Sequence, residues 1–162
     1  VAAVGGIHAG MAPGRLAVPD QVIDYTWGRE HTLFETAPAG VTHVDFTEPD
    51  CQTLRQDLLR AAARVGIALH DGGPYGATLG PRLESAAEIA RLERDGCDMV
   101  GMTGMPETSL ARELGLCYAS LALSVNWAAG KAAGPIRMTE IERCLKEGML
   151  LARAVLAALG DT

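Results

Sequence analysis

Glu84, Asn126 and Thr103 are the side chains here whose types and surroundings suit chemistry on a small ligand. Glu84 stands in Gly80-Pro-Arg-Leu-Glu-Ser85, just ahead of a helical pattern. A carboxylate there either answers the roughly half unit of positive charge at a helix N-terminus or accepts from a ligand N–H. Asn126 follows the most apolar stretch of the chain. It is either a turn residue bonding locally or a two-way hydrogen-bonding group facing a heterocycle. Thr103, in Gly101-Met-Thr-Gly-Met-Pro-Glu107, either caps a helix or holds an oxyanion with its hydroxyl and the amides that follow. Met102 reads as core or as a soft floor under a sugar, Leu83 as core, and His43 as a surface or core histidine. Gly5-Gly6 is a weak phosphate-loop signal, because it lacks both the GxGxxG spacing and the P-loop lysine.

The elements that must position these residues can be read from periodicity and punctuation. Strands are expected at 1–4, 16–18, 21–24, 42–46, 67–70, 75–79, 98–103 and 117–125, with an irregular surface loop over 26–40. Helices are expected over 51–65, where apolar residues recur three and four apart, and over 85–95, opened by a Ser85–Glu88 capping box. Another runs from Pro106 to about Gly115, and a last one from a Thr139–Glu142 capping box to about Leu159. From Cys51 onward strands alternate with helices. That predicts an α/β fold with a largely parallel or mixed sheet and a single domain over 1–162. In such sheets ligands sit beyond the carboxyl ends of strands, and the Glu84, Thr103 and Asn126 segments fall at three such ends.

Composition narrows the function. The net charge is −6 and no Lys/Arg run is long enough to follow a phosphate backbone, which argues against nucleic-acid binding. No apolar run is long enough to span a membrane. The cysteines at 51, 97, 117 and 144 form no CxxC and have no histidine cluster beside them, so no metal is expected. They read as reduced thiols of a cytoplasmic protein. The opening Val-Ala-Ala-Val-Gly-Gly reads as the end of a buried strand, so a further segment is expected upstream.

Several segments together resemble the purine nucleoside phosphorylase and methylthioadenosine phosphorylase family. Thr78-Leu-Gly-Pro-Arg-Leu-Glu-Ser85 is similar to its T-x-G-P-R-[FL]-E-[ST], and Asp98-Met-Val-Gly-Met-Thr-Gly-Met-Pro-Glu107 to its D-x-V-G-M-[ST]-x-x-P-E. Ala111 to Ser120 resembles A-[RK]-E-x-G-x-x-Y-A, Ser124 to Gly130 resembles [VT]-N-x-A-A-G, and Pro19 to Thr26 resembles P-D-Q-x-I-D-x-T. Gly5-Gly-Ile-His8 and Gly28-Arg-Glu-His31 are shared with the family's bacterial methylthioinosine phosphorylases.

The resemblance implies a three-layer α/β/α subunit with a mixed central sheet, assembled as a homotrimer. It implies phosphorolysis of a purine nucleoside, with inorganic phosphate as co-substrate and no metal or organic cofactor. Carried over, Glu84 accepts from purine N1–H, Asn126 contacts O6 and N7, and Leu83 packs on the ring. Met102 lies under the ribose, Thr103 touches phosphate or sugar, and the Ala3 amide donates to phosphate. His43 reaches the 5′ end of substrate in a neighbouring subunit, while Ile136 and Ile141 line that 5′ pocket. Adenine-specific members carry Ser in place of this glutamate and Asp-x-Asp where Asn126-Trp-Ala128 stands, which points to a 6-oxopurine. The family's glycine-rich phosphate loop and Arg-His segment are expected upstream. Methylthioadenosine phosphorolysis and a non-catalytic purine-binding fragment are the rival readings.

Overall fold

The structure, a computed structural model, describes residues 1–34 and 42–160. Among these residues seven strands form one mixed sheet: β1 (Ala2–Gly6), β2 (Leu16–Val18), β3 (Gln21–Asp24), β4 (Leu69–Asp71), β5 (Pro74–Ala77), β6 (Met99–Gly101) and β7 (Ala122–Trp127). Their spatial order is β3-β5-β6-β1-β7-β2-β4. The apolar N-terminal strand β1 is therefore central, parallel to β7 on one side and antiparallel to β6 on the other. The helices are α1 (Gln52–Arg64), α2 (Ala86–Arg94), α3 (Glu107–Glu113) and α4 (Met138–Leu159). This is the expected α/β architecture with a mixed sheet. Among the described residues no helix is long and apolar enough to cross a membrane.

Strand alternation divides the apolar residues between the two faces. On one face Leu16, Val18, Leu123 and Val125 pack with Leu58, Ala61 and Ala62 of α1 and with Ala152 and Val155 of α4. On the same face, but separately, Val100 packs with Ile89 and Leu92 of α2. Ala3 and Gly5 of β1 lie between these two cores, since they pair with Leu123 and Val100. The other face carries Ala2, Val4, Ala17, Tyr75, Met99 and Ala122, closed over by Met11 and Met105.

Four expectations are corrected. Residues 42–46 form no strand, although the part of the expected loop at 26–34 does lack helix and strand; the rest of that loop lies outside the described residues. The strand expected at 117–125 begins at Ala122 and runs through Asn126 to Trp127, so Asn126 belongs to the strand. An apolar run does not mark its own pairing limits. The second capping box is not made: α4 starts after Arg137 with no side-chain cap, because Thr139 already lies inside the helix. Finally, Cys51 and Cys117 are joined as a disulfide, while Cys97 and Cys144 are free and buried. The two bonded cysteines are 66 residues apart in sequence and meet because the start of α1 docks beside the approach to β7, where the Cys51 amide donates to Tyr118 O at 2.7 Å. Spacing alone carries no trace of that docking.

Candidate active site

On the sheet face between the two helical cores lies a cavity of about 290 Å³. Ala3, Leu83, Glu84, Met102, Thr103, Asn126, Ile136 and Ile141 all line it, so every expected site residue except His43 meets in one place. His43 is exposed and does not line it. Glu84 is the one ionisable side chain among the described lining residues. The strands do not present these residues at a shared carboxyl edge. β5 and β6 are parallel and end together, but β7 lies beyond β1, which is antiparallel to β6. Asn126 reaches the cavity from the sheet face, beside Gly5 and Val100.

Glu84 is held from one side. Thr78, just after β5, donates from its hydroxyl to Glu84 Oε1 at 2.6 Å, and its amide donates to Gly101 O at 2.8 Å. The second carboxylate oxygen has no hydrogen-bond partner among the described residues and can accept from a ligand. The helix-start role weighed for Glu84 belongs to Glu88. Ser85 caps α2 in a reciprocal box with Glu88, and Arg82 forks onto the Glu88 carboxylate at 2.8 and 2.9 Å. Arg82, then the Ser85 amide, hold the Glu88 carboxyl down at about 2. This network pins the 81–85 segment that carries Glu84.

Asn126 is aimed by an irregularity in the sheet. The pairing of β1 with β7 slips by one residue, from Val4 opposite Ser124 to Gly5 opposite Asn126. Val125 is the extra residue, and such bulges re-aim the side chains that follow. The Asn126 amide nitrogen donates to Trp127 O at 2.8 Å, which leaves one N–H and the Oδ1 for a ligand.

The floor comes from Met102 and Thr103. Met102 crosses Gly80, whose φ of +69° favours glycine and where a Cβ would stand 2.3 Å from the Met102 sulfur. Thr103 does not cap a helix, because α3 starts at Glu107 after Pro106. Its amide instead donates to the buried Tyr75 hydroxyl at 3.2 Å, and its own hydroxyl lies 3.3 Å from that oxygen. Burial pushes the Tyr75 phenol up, so it remains a neutral hydrogen-bonding support. The Ala2 amide donates to Leu121 O toward β7. In a parallel ladder the next amide, that of Ala3, points the other way. On that side β6 pairs only with Gly5 and Gly6, which leaves the Ala3 N–H on the open side of the strand.

Sequence reasoning missed the residue that joins these parts. Arg29 donates to the carbonyls of Thr78 and Leu79 at 3.3 and 3.4 Å, to Met102 O at 3.0 Å, and to Met105 O. One guanidinium thus ties the end of β5 to the turn after β6. Arg29 was visible only as part of Gly28-Arg-Glu-His31; its partners lie 49 to 76 residues away, so no local pattern marks its role. Also unforeseen, against the expectation of no metal ligands, is the meeting of His8, His70 and Asp98 away from the cavity.

The family model for the phosphorylase superfamily matches residues 1–159. A probable S-methyl-5′-thioinosine phosphorylase of Pseudomonas syringae is 56% identical over 157 residues, covering 97% of this chain and 64% of the relative. A probable 6-oxopurine nucleoside phosphorylase of Moorella thermoacetica is 44% identical over 140 residues, covering 86% of this chain and 54% of the relative. The chain thus spans between about half and two thirds of the length of these curated relatives. Among solved structures, methylthioadenosine phosphorylase from Schistosoma mansoni in complex with adenine superposes with a TM-score of 0.92 at 29% identity, covering 98% of this chain and 62% of that one. With the family match running nearly end to end, the chain belongs to the phosphorylase superfamily.

Proposed function

We propose that this protein catalyses the phosphorolysis of a 6-oxopurine nucleoside, methylthioinosine or a close analogue, to the free purine and a (methylthio)ribose 1-phosphate. The observation that carries this reading is the convergence of Glu84 and Asn126 on one cavity. A 6-oxopurine bears a proton on N1 and a carbonyl at C6. The unpaired Glu84 oxygen accepts the first, and the free Asn126 N–H donates to the second. A 6-aminopurine would set a lone pair against the carboxylate, so the methylthioadenosine alternative fits less well.

The chemistry is leaving-group stabilisation. Cleavage of the glycosidic bond puts negative charge on the purine and positive charge on the sugar. Donors placed where that charge develops lower the barrier. Asn126 supports the purine as charge grows at O6 and N7, and Glu84 holds the ring in register. Met102 lies beneath the ribose. Phosphate approaches the anomeric carbon from the side of the Ala3 amide and Thr103, both neutral donors. Ile136 and Ile141 line the 5′ end, and His43 serves the cavity of a neighbouring subunit in a homotrimer. The protein acts without metal or organic cofactor in this reaction, in cytoplasmic purine salvage.

The test is phosphate-dependent release of hypoxanthine from methylthioinosine or inosine by the protein. The reading expects release only with phosphate present, and slower release of adenine from methylthioadenosine. Equal or faster adenine release would favour the adenine-specific reading. Tight purine binding with no turnover would favour a binding fragment.

A further inference from the structure

At the opposite end of β6 from the cavity, three metal-ligating side chains converge. His8 follows β1, His70 lies in β4, and Asp98 immediately precedes β6. His70 Nε2 is 2.8 Å from Asp98 Oδ2, and His8 Nδ1 is 3.9 Å from the same oxygen. One ligand atom from each lies within 4.8 Å of the others. None of the three lines the cavity.

We propose that His8, His70 and Asp98 form a binding site for a borderline divalent cation of the zinc class. Two imidazoles and a carboxylate make a mixed nitrogen and oxygen donor set, which suits zinc and leaves a fourth position for water. Calcium and magnesium favour oxygen ligands throughout. With zinc–ligand bonds of about 2.0–2.2 Å in a tetrahedron, neighbouring donor atoms stand roughly 3.3–3.6 Å apart. The observed 2.8 and 3.9 Å bracket that spacing and all three donors lie within 4.8 Å of one another, so binding opens the His70–Asp98 contact and draws the exposed His8 ring inward.

The surroundings are built to admit these groups. A Cβ at position 73 would stand 2.2 Å from Asp98 Oδ2, and one at position 10 would stand 2.8 Å from His70 Nδ1. Glycine at both positions makes room for the carboxylate and the imidazoles. The backbone around Asp98 is fixed, since its carbonyl accepts from Ile7 and His8 at 2.9 and 3.0 Å and its amide donates to Pro74 O at 2.9 Å. The Gly10 amide donates to His8 Nδ1 at 3.1 Å, so that nitrogen already presents a lone pair. The cation replaces the Gly10 amide there. At His70 it replaces the hydrogen bond to Asp98, and the ring takes its Nδ1–H tautomer. His70 and Asp98 are partly buried and His8 is exposed, which gives an open path for the ion. Once bound, the ion would tie the turn after β1 to β4 and to the start of β6.

The experiment is titration of chelator-stripped protein with Zn²⁺ by calorimetry, and with Co²⁺ followed by its visible d–d absorption. The proposal expects one saturable equivalent per chain and a higher melting temperature with metal. His8→Ala and Asp98→Asn should weaken binding by at least the roughly 10–100-fold that loss of even an outer-shell partner costs a metal site. His8 is exposed, so His8→Ala should retain the wild-type circular dichroism spectrum and keep the test readable. Absence of saturable binding to the wild type overturns the proposal. So does unchanged affinity in His8→Ala, or a Co²⁺–thiolate charge-transfer band showing that Cys97 or Cys144 holds the ion.

Discussion

The two polar arms of the cavity are held in place by different means. Glu84 is positioned by partners close in sequence: Thr78 six residues before it, and the Arg82, Ser85 and Glu88 network around it. Asn126 is positioned by sheet pairing with the start of the chain, opposite Gly5 and after a slipped residue. Ser124, two residues earlier, anchors the same strand by donating from its hydroxyl to Met11 O at 2.7 Å across 113 residues. A site of this kind has one arm whose placement is local and one whose placement exists only once the sheet has formed. Arg29 joins the local arm to the Met102–Thr103 floor.

The sharpest way to separate the arms is through the base they are proposed to recognise. Replacing the Asn126 amide by a carboxylate would remove the donor that the proposed function assigns to O6, and would favour a 6-amino group. Asn126→Asp should shift the ratio of kcat/KM for 6-oxo over 6-amino nucleosides by up to about 10⁴, the scale on which a site with mismatched buried polar groups discriminates. An unchanged ratio would detach Asn126 from base recognition.

A smaller loss is expected from breaking the link between the arm and the floor. Arg29→Ala leaves four carbonyls without their cationic donor. Charge-assisted bonds are worth roughly 1.5–3 kcal/mol, so kcat/KM should fall at least tenfold, which corresponds to about 1.4 kcal/mol. Arg29→Lys keeps the charge but loses the planar fork, and should recover only part of the activity. Full activity in both variants would show that the β5 end and the Met102 turn hold their places without it.

The smallest effect concerns stability away from both arms. Burial pushes the Asp50 carboxyl up to about 6, only partly offset by the Ser120 amide and Arg55. A folded-state value above the unfolded one means the native state binds more protons between about pH 4 and pH 6. Stability contributed by this group is present below that window and is lost as pH rises through about 6. Asp50→Asn should therefore raise stability at pH 7.5 by about 1–3 kcal/mol, converging on the wild type below pH 4. Denaturant unfolding at the two pH values measures it, and a variant less stable at pH 7.5 would contradict the assignment.

What was legible in the sequence follows the same division. The Ser85–Glu88 capping box, the α1 periodicity and the alternation of elements could be read because their causes lie within a few residues. The cavity residues were found through motif resemblance, since Glu84 alone was equally consistent with a helix-dipole carboxylate. Arg29, the bulge at Val125, the Cys51–Cys117 disulfide and the His8–His70–Asp98 cluster depend on pairings set by the folded sheet. The Thr139–Glu142 pattern shows the converse, a local signal overruled when the cap of α4 falls two residues earlier, at Arg137.

The central claim is that Glu84 faces the substrate while Glu88 serves the helix. Replacing Glu84 by Gln keeps its shape but removes the charge that the proposed function sets against purine N1–H. The most direct measurement is kcat/KM for methylthioinosine or inosine beside the melting temperature of the same Glu84→Gln protein. The account predicts a loss of about 10- to 150-fold in kcat/KM, the equivalent of roughly 1.5–3 kcal/mol for a charge-assisted bond, with the melting temperature almost unmoved. Normal kinetics with a lowered melting temperature would contradict it and return Glu84 to a role in holding the fold.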